Sequence, residues 1–185
     1  MTQKPSKPPA KQEGGNVKNV NAIDAAGFLL EYLQKTKAII MSPDEFFADL
    51  PQAEDLKFPI AYFMAGSLIC SILMMVTGQA FFNNAIVQFI LSIGMVFLAA
   101  YAAQKLGEFL DGNGTFDECF KVCAFSSCTL LIRWLPMQPW TTMIWLAFTA
   151  WLYFVGFKRV HNLDDMRGAA VALIAAMLST IIVPA

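Results

Sequence analysis

The sequence predicts an all-α polytopic membrane protein: a bundle of five transmembrane helices preceded by cytoplasmic amphipathic helices. Three observations lead to this prediction. The 185 residues are 57% hydrophobic and only 15% charged, with a mean hydropathy of +0.52, a balance that soluble domains rarely reach. Several apolar runs are long enough to cross a bilayer, and the basic residues fall almost entirely on one side of those runs.

The apolar runs predict the individual spans. Four runs carry no charged residue, at 58–82, 84–104, 141–157 and 168–185, and a bilayer core of ~30 Å needs about 20 mostly apolar residues per helix. A further run, 119–136, is interrupted by Lys121 and Arg133. Because long basic side chains near helix ends can extend to the interface, it is predicted to span as well. The expected spans are 58–79, 84–105, 118–135, 140–158 and 164–183.

The charge distribution predicts the orientation of these spans. With the N-terminus in the cytoplasm, the two outer loops hold a single basic residue, Arg133. The other twelve of the thirteen basic residues lie on the cytoplasmic side, as the positive-inside rule requires. Four or six spans would scatter them over both faces. The sequence therefore predicts five spans, with the N-terminus inside and the C-terminus outside.

The residues before the membrane domain, which is predicted at 57–185, divide into two parts. Residues 1–22 are rich in lysine and proline and are predicted to form a disordered cytoplasmic tail. Residues 23–51 are predicted to form amphipathic helices, the first of them over 24–41, where apolar residues recur at helical spacing. That helix would lie at the interface or dock on the bundle, and a covering role and a partner-binding role are both open.

The stretch "MSPDEFF" (41–47) predicts a second, short cytoplasmic helix over 42–50. Ser42 stands at the cap position, Pro43 is the first helical residue, and Glu45 lies at capping-box spacing. A helix this short is not stable alone, so we expect it to dock into the bundle base or the headgroup layer. The docking or partner-binding residues predicted on its two faces are Asp44, Phe46, Phe47, Asp49 and Leu50.

Two further helix starts are predicted from caps. Thr115 and Glu118 form a second capping box, after the turn "DGNG" (111–114). Asn162, followed by two aspartates, is predicted to start the fifth span. The "DGNG" turn lacks the glycine and glutamate that a calcium loop requires at its sixth and twelfth positions, so no calcium site is predicted.

The sequence contains few residues suited to chemistry. The four cysteines lack a matching histidine pair and are expected to pack between helices, so neither a metal site nor a disulfide is predicted. His161 is interpreted as a surface histidine, with pH sensing as the alternative. The polar cluster Ser126, Ser127 and Thr129 lies inside the third span, where it would either join helices by hydrogen bonds or line a translocation path.

Enzymatic and actively transporting classes are disfavoured. The middle parts of the predicted spans contain no histidine or carboxylate that could activate a serine nucleophile or relay protons. Glycine-rich nucleotide loops are also absent from the sequence. We therefore predict no catalytic residues, no cofactor, no metal and no nucleic-acid partner.

Several stretches resemble the bacterial branch of the Yip family, the Ypt-interacting proteins. They are "IIMSPDEFFADLP" followed by "FPIAYF", then "DGNGTFDECFKVCAFSS", and "WLYFVGFKRVHNLDDMRGAAVAL". The resemblance covers about residues 36 to 180 and implies a five-helix membrane domain with a cytoplasmic N-terminus. In the family that the sequence resembles, the eukaryotic members bind prenylated small GTPases of the Rab type. The Asp-Leu-Tyr-Gly-Pro stretch of the Golgi members has no counterpart here, and the resemblance supplies no catalytic residues.

The sequence thus favours a non-enzymatic membrane protein that recruits or organises partners or lipids at the cytoplasmic membrane face. The expected partners are membrane lipids and a cytoplasmic or membrane protein. A passive channel, a lipid-translocating or small-solute transport protein, and a structural subunit of a larger membrane complex are the alternatives. The bacterial inner membrane is the predicted location, with the ER or Golgi membrane as the alternative.

Overall fold

The computed structural model describes residues 25–50, 56–78, 82–135, 137 and 139–181. Within these ranges the protein is all-α, without a strand. The helices are α1 (Ala25–Met41), α2 (Pro43–Ala48), α3 (Lys57–Val76), α4 (Phe82–Phe109), α5 (Phe116–Ser126), α6 (Leu130–Arg133), α7 (Trp140–His161) and α8 (Asp165–Ile181), with a 3₁₀ turn at Ser127–Thr129 between α5 and α6. The predicted tail lies outside the described residues, as do residues 51–55.

Three of the described helices are long and apolar enough to cross a membrane: Lys57–Val76, Asn84–Phe109 and Trp140–His161. They correspond to the predicted first, second and fourth spans. Helix α8 has 17 residues, and the predicted third span is broken by the 3₁₀ turn. The count of five spans and their orientation therefore stay predictions.

Helix α5 is the centre of the bundle. Every residue from Cys119 to Ser126 is buried, because α5 packs against α3, α4 and α7. A helix enclosed by other helices contacts protein rather than lipid, so polar residues cost less there when they find partners. This location explains why the predicted third span has the weakest hydropathy signal.

Helices α1 and α2 pack at one end of the bundle. We call it the basic end, because Lys105, Lys121, Lys158, Arg159 and Arg167 also lie towards it, and we call the opposite end the far end. Helix α2 packs on α1 and on the C-terminal part of α7, and α1 also contacts α5. The loop 110–115 and the α7–α8 connection meet beside them, where Arg167 Nη1 donates to Leu110 O at 3.0 Å.

The predicted caps met different outcomes. The box at Thr115 is confirmed, since its hydroxyl accepts from Glu118 N while Glu118 Oε2 accepts from Thr115 N. The prediction of a capping box at Ser42 is wrong, because the Ser42 side chain makes no cap hydrogen bond. Helix α1 runs directly into Ser42, whose N–H donates to Ala38 O at 2.9 Å, so that N–H is not available to Glu45.

The prediction that Asn162 starts the last helix is also wrong. Asn162 ends α7 in the left-handed conformation, with φ 52° and ψ 41°, a role that asparagine fills because its side chain tolerates positive φ. The cap belongs to Asp164, whose Oδ1 accepts from Arg167 N at 2.9 Å. Helix α8 begins one residue later, at Asp165.

Candidate functional site

Helix α2 lies on the bundle with its apolar face inward. Phe47 is 3% exposed and belongs to the central apolar core, against which Phe46 and Leu50 also pack. The rings of Phe46 and Phe125 meet edge to face, with centroids 5.1 Å apart, a favoured aromatic geometry. A six-residue helix is thus held by contacts from three other helices rather than by its own hydrogen bonds.

The acidic residues of the same segment face outward. The side chain of Asp44 is 67% exposed and lies 3.5 Å from Arg159 Nη2. An ion pair this exposed contributes little to stability, about 0–1 kcal/mol. Asp49 ends α2, is exposed, and has its N–H bonded to Glu45 O. The two faces of α2 therefore separate into an apolar anchor and an acidic edge.

A groove of about 350 Å³ runs between α1 and α2, and we call it the α1–α2 groove. Its floor is apolar, formed by Phe46, Leu50 and Phe125 together with Ala38. Lys35, Glu45 and Asp49 line its rim. Two carboxylates and one ammonium group leave this rim with a net negative charge.

Helix α1 is held in place by two aromatic residues and a threonine. Tyr32, 2% exposed, stacks on Tyr62 with ring centroids 4.4 Å apart, and Thr36 Oγ1 lies 2.6 Å from Tyr62 Oη. Burial raises the pKa of the Tyr32 phenol to about 12, so the ring is neutral at physiological pH. Gly66 allows this approach, because a Cβ there would lie 3.1 Å from Tyr32 Oη.

The outer face of α1 is apolar and uncovered. It consists of Leu29, Leu30, Leu33, Ile40 and Met41, each at least half exposed. An amphipathic helix with such a face at the end of a membrane bundle is suited to lie in the bilayer interface.

The predicted polar cluster lies where the third span breaks. Ser127 Oγ donates to Ala124 O at 2.6 Å, and Thr129 Oγ1 donates to Ser126 O at 2.9 Å. Thr129 Oγ1 also lies 2.8 Å from Thr149 Oγ1 of α7. Ser126 is 1% exposed, and its hydroxyl has no hydrogen-bond partner among the residues that the structure describes. The three residues thus share one turn but differ in how their hydroxyls are used.

The 3₁₀ turn borders a cavity of about 80 Å³ in the middle of the bundle, which we call the central cavity. Sequence reasoning missed the residues that α7 contributes to it: Trp145, Thr149 and Tyr153. With Thr141, they are buried and recur every four residues along α7. This polar and aromatic stripe in a charge-free span was the signal that could have revealed them.

His161 is buried, so its interpretation as a surface histidine is wrong. Its side chain is 1% exposed. Its Nδ1 accepts from Gly114 N at 3.1 Å, and its Nε2 lies 3.2 Å from Cys119 Sγ. Since Nδ1 accepts, the ring proton sits on Nε2, and the imidazole is neutral in this arrangement. The ring joins the loop before α5 to the end of α7.

Glycines make the space for this imidazole. A Cβ on Gly107 would lie 2.2 Å from His161 Cε1, one on Gly114 would lie 2.7 Å from Nδ1, and one on Gly112 would lie 2.8 Å from the His161 Cβ. The imidazole can pack this closely against the backbone only because glycine has no Cβ at these positions. The glycines of 107–114 therefore serve the packing of His161 as well as the turn.

Lys121 is buried too, with 1% exposure, and does not extend along the bilayer interface. It lines a second cavity at the basic end, of about 240 Å³, together with Phe47, Glu118 and Arg159. The four cysteines are reduced and buried. In the described part of the chain, no three His, Cys, Asp or Glu side chains come together in a way that would hold a metal ion.

The all-helical architecture and the three membrane-length apolar helices define an integral membrane protein. The chain belongs to the Yip1 domain family, whose model matches residues 37–185. This family is not known for enzymatic activity. Neither the curated proteins nor the solved structures that were compared with the chain include a match.

Proposed function

We propose that this protein is a non-enzymatic membrane adaptor that recruits a partner protein to the cytoplasmic face of the membrane through the α1–α2 groove. The observation that carries the proposal is that α2 has one buried apolar face and one exposed acidic face. Phe47 is buried under the helix, while Glu45 and Asp49 border an open groove. Because α2 is packed on the bundle, it presents its acidic residues in a fixed position for recognition.

The chemistry of the groove selects the partner. Its net negative rim favours a basic side chain, and its floor of Phe46 and Phe125 favours an apolar one. A segment presenting an arginine next to a large apolar residue would satisfy both. We therefore infer a partner with such a basic and apolar motif near its membrane-facing surface.

Charge and exposure support a cytoplasmic location for the groove. The basic end carries α1 and α2, and the positive-inside rule favours a cytoplasmic position for that end. The apolar outer face of α1 would lie in the headgroup layer and keep the groove level with the membrane surface. With the bacterial resemblance of the sequence, this supports a location in the inner membrane.

Site-specific photo-crosslinking in native membranes tests the proposal. A photoreactive residue at Ala38, an exposed and uncharged position that lines the groove, is expected to capture one dominant protein, whereas the same probe at Lys105, on α4 and away from the groove, is not. The charge reversal Glu45→Lys, placed in the Ala38 probe strain, should reduce that product about tenfold. A matched reversal at Glu108 should leave it unchanged.

Two outcomes would overturn the adaptor proposal. One is that the probe at Ala38 reacts only with lipid and with the protein itself. The other is that the captured protein is insensitive to Glu45→Lys, because a partner that ignores the rim charge does not bind through the groove.

A further inference from the structure

The central cavity contains buried polar groups whose hydrogen bonds are not satisfied within the described part of the chain. Ser126 and Trp145 are 1% and 5% exposed and line the cavity, and neither the Ser126 hydroxyl nor the Trp145 indole N–H has a hydrogen-bond partner there. Buried polar groups in native structures nearly always have a partner. Two such groups beside one cavity indicate that something else occupies it.

The missing partner must accept hydrogen bonds. An indole nitrogen can only donate, so the occupant has to offer an acceptor to Trp145. The hydroxyl of Ser126 can donate as well. Neighbouring hydroxyls do not fill this role, since neither Trp145 Nε1 nor Ser126 Oγ has a hydrogen-bond partner among the residues that the structure describes.

A cation stands beside these donors. Arg133, at the end of α6, lines the same cavity, and its Cζ lies 5.4 Å from the centroid of the Trp145 ring. No carboxylate lines the cavity among the residues that the structure describes. A guanidinium next to buried indole and hydroxyl donors forms a site of net positive charge, which matches an oxyanion.

The position of the cavity identifies the source of that oxyanion. The cavity lies between membrane helices, and Leu91 of α4, which is 37% exposed on the outer surface of the bundle, also lines it. A volume of about 80 Å³ has room for only a few water molecules or one small polar group, since each water occupies ~30 Å³ in the liquid. Any long chain attached to that group must remain outside, along the bundle surface.

We propose that the central cavity binds the phosphate or carboxylate group of an anionic membrane lipid. Arg133 supplies the charge, and Trp145 N–H and Ser126 O–H donate to the oxyanion, while the acyl chains lie against the exposed apolar surface beside Leu91. The site shares no lining residue with the α1–α2 groove among the residues that the structure describes. It is therefore independent of the proposed adaptor surface.

The test is lipid retention by the full chain, measured by native mass spectrometry after transfer from nanodiscs. The nanodiscs contain phosphatidylcholine with increasing phosphatidylglycerol, and inorganic phosphate is added to detergent-solubilised protein in a separate arm. The wild-type chain is expected to retain phosphatidylglycerol in preference to phosphatidylcholine. Arg133→Gln should weaken that retention about tenfold, and Trp145→Phe and Ser126→Ala each by about threefold to tenfold.

Matched controls separate the site from general effects. Trp140→Phe removes an indole that is 66% exposed, and Arg159→Gln removes a cation from the basic end; both should retain the lipid as the wild type does. Arg133→Lys keeps the charge and should retain most of the preference. If Arg133→Gln fails to fold, Trp145→Phe and Ser126→Ala still test the two donors.

Three results would overturn the assignment. Equal retention by wild type, Arg133→Gln and Trp145→Phe would show that the cavity holds water only. Equal retention of phosphatidylglycerol and phosphatidylcholine would exclude selection by charge. Binding of inorganic phosphate without retention of the lipid would make the ligand a free oxyanion rather than a lipid.

Discussion

Replacing Gly107 with alanine tests the packing of the buried imidazole. The new methyl group would lie 2.2 Å from His161 Cε1, 2.3 Å from Nδ1 and 2.5 Å from Nε2, so it would overlap the whole edge of the ring. The ring cannot turn away without losing its bond from Gly114 N and its contact with Cys119 Sγ. Gly112 and Gly114 also lie close to His161, since a Cβ on either would come within 3 Å of it.

The magnitude follows from three opposing effects. Overpacking of a buried site costs about 1–3 kcal/mol, and a displaced hydrogen bond costs a further ~0.5–1.5 kcal/mol. Alanine in a helix regains up to about 1 kcal/mol relative to glycine. We expect a net loss of about 2 kcal/mol in the free energy of unfolding, or a factor of about 30 in the equilibrium constant.

The same helix offers a matched control. Gly94 of α4 is exposed, and a Cβ there would meet nothing within 4 Å. Gly94→Ala should therefore leave stability unchanged or raise it by up to about 1 kcal/mol. The assay is equilibrium unfolding of both variants in mixed micelles with increasing dodecyl sulfate, followed by circular dichroism.

A double-mutant cycle with His161→Ala isolates the contact. Without the imidazole, Gly107→Ala has room for its methyl group, so most of its cost should disappear. Equal stability of Gly107→Ala and Gly94→Ala would contradict the predicted overlap between the new methyl group and the His161 ring. The same conclusion would follow if Gly107→Ala cost as much in the His161→Ala background as in the wild type.

Three further predictions concern the basic end. Phe47→Asp should lower the free energy of unfolding by more than about 3 kcal/mol, because it empties a core position and buries a charge. The control Met166→Asp, at a site that is 85% exposed, should change the free energy of unfolding by no more than about 0.5 kcal/mol in the same assay. Thr115→Ala removes a confirmed cap and should cost about 1 kcal/mol in the same unfolding assay, whereas the control Thr115→Ser keeps a capping hydroxyl and should cost less. Because the pKa of Tyr32 is raised from 10.0 to about 12, its neutral form stabilises the fold below pH 10, and this contribution should be lost as the pH rises to about 12. Tyr32→Phe should remove that part of the alkaline loss, and an unchanged pH profile would contradict it.

Features that depend on neighbouring residues could be predicted from the sequence. Charge-free apolar runs identified α3, α4 and α7 as membrane-length helices, because hydrophobicity and length are properties of a single segment. The cap at Thr115 was predictable for the same reason, since both of its hydrogen bonds join residues three positions apart. The stretches that resemble the Yip family were sufficient to predict the family to which the chain belongs.

Burial and contacts between residues far apart in the sequence became known only from the tertiary structure. His161 is adjacent to basic residues in the sequence, yet it is buried by Gly107 and Gly114, about fifty positions away. The central cavity joins Ser126 to Trp145 from different helices, and no spacing along either helix announces that pairing. The Ser42 cap, by contrast, failed for a local reason, because the preceding helix extends far enough to use the Ser42 N–H. Local patterns set which segments are helical, whereas burial and partnership are set by which helices pack together.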